Sequence, residues 1–140
     1  MVIVFGDEFK TTIECPCCGK ICSIAIGQTS HNGILAWYES IICHNCGLRS
    51  ESDDIGFPPE KIRLQLIDFE GLWNVRLDNI KSQMETIKVI RKAFSIDTKE
   101  ALRIIRNESK VIYSGTREEA IWLMSLLKHV GETPLIQIAK

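Results

Sequence analysis

The chain has 140 residues, enough for one ordinary domain or two small ones. Apolar residues make up 45% and charged residues 25%, the balance of a folded protein, which excludes wholesale disorder. Lys and Arg total 17 against 18 Asp and Glu, a net charge of -1, so no global basic excess points to a phosphate backbone.

The first apolar run, Val2 to Phe5, is far too short to span a bilayer, as is Ile34 to Trp37. Met1 to Glu8 lacks the basic n-region and long apolar core of a signal peptide. These features predict a cytoplasmic protein with no membrane partner and with reduced thiols.

The 6 cysteines all fall between Cys15 and Cys46. Cys15-Pro-Cys-Cys18-Gly19 and Cys43-His-Asn-Cys46-Gly47 each contain Cys-x-x-Cys-Gly. Two thiolates three positions apart can grip one ion from a tight turn, and the following Gly permits the positive φ that the turn needs. Between the knuckles, Ile21 to Ile26 and Ile34 to Ile42 are β-rich, and Ser30-His31-Asn32-Gly33 supplies a hairpin turn. Trp37 and Tyr38 are adjacent on the second of these strands and must point to opposite faces, which places one of them in a core.

This pattern resembles the zinc ribbon family over roughly residues 9 to 50. Cys15, Cys18, Cys43 and Cys46 are then the ligands of one structural Zn2+, a closed set with no open position for water or substrate. Such binding contributes on the order of 10–16 kcal/mol of apparent free energy, comparable to the whole stability of a small domain. A redox pair or disulfide scaffold is the competing reading, and a cytosolic setting argues against both. Cys17 and Cys22 are spare. Cys22 shares a strand face with Ile24 and Ile26, which points to burial, and His44 reads as a solvent-facing spacer.

Residues 1 to 56 carry three basic residues against seven acidic ones, whereas residues 57 to 140 carry 14 against 11. Glu51-Ser-Asp53-Asp54-Ile-Gly-Phe-Pro58-Pro59 is polar and then rich in Gly and Pro, the composition of an extended connector. The expected organisation is a ribbon with an N-terminal strand over residues 1–56, a linker and strand over 57–71, and a second domain over 72–140.

Ile62, Leu64 and Leu66 alternate with Arg63 and Gln65, which predicts a strand. Trp73, Val75 and Leu77 alternate in the same way. Gln83 to Phe94 has helical apolar spacing. Asp97 stands three residues before Glu100, a helix start, and that helix is expected to run through Arg106. Val111 to Tyr113 is β-like. Thr116 with Glu119 forms a capping-box pair that opens a helix carrying Ala120, Leu123, Met124 and Leu127 on one face. Lys128 and His129 suit its C-terminal end, Gly131 ends it, and Leu135 to Ile138 form a last strand. The fold class is therefore α+β: a β-rich ribbon followed by β-α-α-β-α-β, with helices on an antiparallel sheet.

The second half resembles the C-terminal domain of the bacterial ribosomal stalk protein. The matching segments are Trp73-Asn74-Val75-Arg76-Leu77, Ile87-Lys88-Val89-Ile90-Arg91, Lys99-Glu100-Ala101 and Ser114-Gly115-Thr116, with the late Gly131 and closing strand. It departs from that family in three places. Phe94-Ser95-Ile96-Asp97-Thr98 has no glycine where the family turn is glycine-rich, Leu102 stands where a basic residue is usual, and a ribbon replaces the dimerising arm.

The resemblance implies a domain that recruits translational GTPases through its first two helices. Met84, Ile87, Lys88 and Arg91 share one helical face, and Lys92, Lys99 and Arg103 extend it. Residues 80–107 hold seven basic residues against three acidic ones, which suits an acidic helical partner such as a translational GTPase or a ribosome-associated factor. The competing reading is an ordinary solvated helix face with Ile87 in the core.

His31, His44 and His129 have no nucleophile placed by a recognisable motif, and no phosphate loop occurs, so a non-enzymatic protein is expected. Two alternatives stand beside the interaction module. The acidic cluster Glu51, Asp53 and Asp54 would let an immunity protein block a basic nuclease toxin. The ribbon and basic helices would alternatively bind nucleic acid, against which the ribbon's own acidity argues.

Overall fold

A computed structural model describes residues 7 to 139. The sequence reading of Val2 to Phe5, and most of that for Met1 to Glu8, falls on residues 1–6, outside the described residues. The chain divides into two compact units, Met1–Glu70 and Gly71–Lys140.

The first unit is an antiparallel meander. β1 (Asp7–Glu14), β2 (Ile21–His31), β3 (Ile34–Ile42) and β4 (Arg49–Ile55) pair in that order. Asn32 and Gly33 turn β2 into β3 with φ of 52° and 77°, the pair of positive angles that a tight two-residue hairpin requires. His31 then faces Ile34, and the register runs to Ser23 opposite Ile42. Alternation along the strands gathers Ile24 and Ile26 on one face, with Phe9, Ile13, Trp37 and Ile41 packed beside them. Tyr38 pairs with Gly27 in the neighbouring register position, one residue out of phase with Trp37, and so occupies the opposite face.

Two expectations fail in this unit. Ile62 to Leu66 is not a strand: Glu60–Glu70 forms helix α1. Five alternating residues fit either period, and the tie is broken by what needs covering. Ile62 and Leu66, one helical turn apart, close the Ile24–Ile26 face, while Leu64 is left 54% exposed. Pro58 and Pro59 precede the helix, where a missing N–H costs nothing, and the Pro59 carbonyl accepts from the Arg63 amide at 3.0 Å. Residues 57–71, read as linker and strand, thus hold α1 instead.

The second miss is β4. Glu51 to Ile55, read as connector, pairs antiparallel with β3 from Ile42 opposite Arg49 to Ala36 opposite Ile55. All seven residues of β4 are exposed, so backbone pairing holds it with no buried side chain to advertise it.

In the second unit β5 (Trp73–Arg76) is central, flanked antiparallel by β6 (Val111–Gly115) and β7 (Leu135–Ile138). Three helices follow the order α2 (Gln83–Phe94), α3 (Thr98–Ile105) and α4 (Arg117–His129). α4 packs across all three strands, and α2 packs on both α3 and α4. Val75, Ile90, Ala101, Leu123 and Leu127 form the buried interior. Met124, expected on the same face of α4, is only half-buried, and Trp122 is buried instead.

Each helix start carries a cap. Ser82 accepts from the Glu85 amide, Asp97 from the Glu100 amide at 2.8 Å, and Thr116 with Glu119 closes both halves of a capping box. Glu132, only 3% exposed, accepts the Lys81 amide at 2.9 Å, the Ser82 amide at 3.0 Å and the Thr86 hydroxyl at 2.8 Å. Among the described residues no helix is long and apolar enough to cross a membrane.

Candidate metal centre

Two short turns present the four predicted sulfurs. The first joins β1 to β2 and the second joins β3 to β4, so the meander brings both to one end of the sheet. They are built alike. In the first, the Gly19 amide donates to the Cys15 carbonyl at 2.9 Å and the Cys15 amide to the Lys20 carbonyl at 2.7 Å. In the second, Gly47 donates to Cys43 and Cys43 to Leu48, both at 2.9 Å. Gly19 and Gly47 take φ of 77° and 80°, so the glycine in each motif has a backbone reason.

The sulfurs of Cys15, Cys18, Cys43 and Cys46 all lie within 4.8 Å of one another. Cys15 Sγ is 3.7 Å from Cys46 Sγ, and Cys18 Sγ is 3.7 Å from Cys43 Sγ. A tetrahedral ion with metal–sulfur bonds of about 2.3 Å spaces its ligands about 3.8 Å apart, so the donor set fits a metal ion such as zinc. A disulfide needs about 2.05 Å, and all four cysteines are free thiols. Tetrahedral sulfur alone accepts zinc or iron.

The pKa values of Cys15, Cys18 and Cys46 are shifted in different directions. The Cys18 amide, against the opposing effect of burial, brings Cys15 down to about 6. Cys18 is lowered chiefly by the Lys20 amide and then by the Asn45 side chain. The Leu48 amide lowers Cys46, but burial and three neighbouring thiols outweigh it and push Cys46 up to about 12. A bound cation favours the thiolate form of each sulfur it touches and so displaces a proton held in this way.

Cys22 is buried against Cys15 and Cys43, with Ile13, Ile41 and Leu48 around it. Burial pushes its thiol up, and its sulfur is not one of the clustered four. Cys17 is exposed, and its amide donates to Cys15 Sγ at 3.4 Å. His44 is exposed. The sequence reasoning missed its neighbour Asn45, whose Nδ2 donates to Cys18 Sγ of the other knuckle at 3.4 Å. Motif spacing picks out the four cysteines and says nothing about a spacer side chain.

The candidate partner residues lie in the second unit. Met84 is 68% exposed, and Lys88, Arg91, Lys92, Lys99 and Arg103 are exposed, while Ile87 is half-buried. Lys88 pairs with Glu85 at 3.5 Å and Arg103 with Glu100 at 2.7 Å. Lys88, Arg91, Lys92 and Ile96 line one hollow of about 310 Å³; Lys99, Leu102, Arg103 and Arg106 line another, of about 510 Å³, with Thr98. Glu51, Asp53 and Asp54 are exposed along β4, one of the two outer strands of the first sheet. Glu51 and Asp53, two apart, share a face, and Asp54 points to the other. Compared with family models, curated proteins and solved structures, the chain matches none.

Proposed function

We propose that this protein is a non-enzymatic, zinc-stapled interaction module of the cytoplasm. The four-sulfur cluster carries the metal reading: its sulfurs stand at the spacing of a tetrahedral thiolate site. Four protein ligands leave no open position for substrate, so the ion's task is to hold the ends of the meander together. Zinc is assigned over iron because a structural staple needs no redox activity.

The second unit is the partner-binding half. Its β-α-α-β-α-β order and quoted segments are similar to the stalk C-terminal domain, which makes a translational GTPase or ribosome-associated factor the partner. The supporting observation is that α2 and α3 expose Lys88, Arg91, Lys92, Lys99 and Arg103 and carry the exposed Met84 and the half-buried Ile87 and Leu102. Such a surface suits an acidic, amphipathic partner helix.

A pull-down from native lysate with the full chain tests this. Capture of an elongation factor or ribosomes, lost in Lys88→Glu/Arg91→Glu, is the expected result. Capture of one small basic nuclease that survives this double substitution favours the second reading, an immunity protein. That reading draws on β4, where Glu51 and Asp53 project from an exposed outer strand.

A further inference from the structure

A divalent ion held by four thiolates leaves a net charge of about -2 at the site, which must be offset by hydrogen-bond donors aimed at sulfur. Two such donors stand out. The Cys17 amide reaches Cys15 Sγ at 3.4 Å, and being backbone it is available whatever residue occupies that position. The second donor is a side chain. Asn45 Nδ2 reaches Cys18 Sγ at 3.4 Å, bridging 27 positions from one knuckle to the other. Its amide oxygen would repel a thiolate, so the NH2 group must face the sulfur.

We propose that Asn45 is a positioning residue of the metal centre, a cross-knuckle donor that stabilises the Cys18 thiolate and ties the two turns together. The inference rests on the metal reading above. Its chemistry is specific to a donor of this reach. Aspartate has the same shape but offers only acceptors and a negative charge beside four sulfurs. Alanine removes the group. Glutamine keeps the amide on a longer arm. His44, the adjacent spacer, is exposed and serves as a control with the same backbone context.

The test loads the full chain with Co2+ as probe. Sulfur-to-cobalt charge-transfer absorption is recorded, and affinity is measured by competition with a chelator. Asn45→Ala is expected to weaken Co2+ binding roughly tenfold, the scale of an outer-shell loss. Asn45→Asp weakens it further, and Asn45→Gln recovers part of it. In Asn45→Ala and Asn45→Asp the charge-transfer band moves to lower energy, because a thiolate with one donor fewer gives up electron density more readily. A purely structural role would not move that band. His44→Ala keeps wild-type affinity and band position.

Wild-type affinity and band position in Asn45→Asp overturn the proposal while leaving the metal reading intact. An equal loss in His44→Ala also overturns it, since the turn's backbone would then be responsible. Absence of a charge-transfer band in the wild-type protein overturns the metal reading, and this inference with it.

Discussion

The ring of Tyr38 lies directly over Gly27, its cross-strand partner, so closely that a Cβ on residue 27 would sit 2.5 Å from the Tyr38 ring. The Tyr38 hydroxyl passes over Gly27 to donate to Glu8 on β1, the third strand in the row. Burial, and then the Glu8 carboxylate, raise the tyrosine's pKa, so the phenol stays protonated and keeps its donor. Gly27→Ala must therefore displace the ring and break the Glu8 contact. The expected loss is about 1–3 kcal/mol, an overpacking cost, read by urea denaturation. Tyr38→Leu in the same background should relieve most of it, and full additivity of the two changes would count against this account.

Metal removal should act on the first unit. The buried core of the meander rests on Ile24, Ile26, Ile62 and Leu66, and the four clustered sulfurs tie its two knuckle turns together. Chelation is expected to abolish amide protection in β2 and β3 while protection in β5 and α4 persists, as hydrogen exchange would show. Cys15→Ser or Cys43→Ser should mimic it. Cys17→Ser, at an exposed position outside the sulfur cluster, should keep one equivalent of metal.

Glu132 predicts a pH dependence. Burial by itself would raise this carboxyl, but the Lys81 and Ser82 amides and the Thr86 hydroxyl outweigh it and hold it below the usual carboxylate range. A carboxyl lowered in the folded state contributes stability that is fully present above its unfolded value, about 4.3. That stability is lost as pH falls through the lowered folded value. Glu132→Gln is expected to cost about 1–3 kcal/mol at neutral pH and progressively less in acid, measured as midpoint against pH.

Ser95 closes α2 with φ of 54° and ψ of 46°, the left-handed cap that glycine adopts most readily. A serine there bears a Cβ penalty on the order of 1 kcal/mol. Ser95→Gly is expected to stabilise the protein by about 0.5–1 kcal/mol, visible as a raised Tm. A lowered Tm would mean that the serine makes a compensating contact.

Local rules carried much of this protein. The Asn32-Gly33 turn, the caps at Asp97 and Thr116, and the helix over Gln83–Phe94 all depend on residues a few positions apart, so they were legible in the sequence. The four cysteines that the structure brings together were legible for the same reason, because each pair sits in one tight turn. What the sequence could not decide depends on partners far along the chain. Whether Ile62 to Leu66 became strand or helix was settled by the uncovered Ile24–Ile26 face, which a helix covers with Ile62 and Leu66. β4 exists because β3 offers it an open row of backbone groups, and hydrogen bonding of the backbone leaves no hydrophobic pattern to read. Glu132 seals the start of α2 from 46 positions beyond Thr86, and Asn45 reaches a sulfur 27 positions before it. Short-range geometry is encoded residue by residue, whereas these contacts exist only once packing has brought distant segments together.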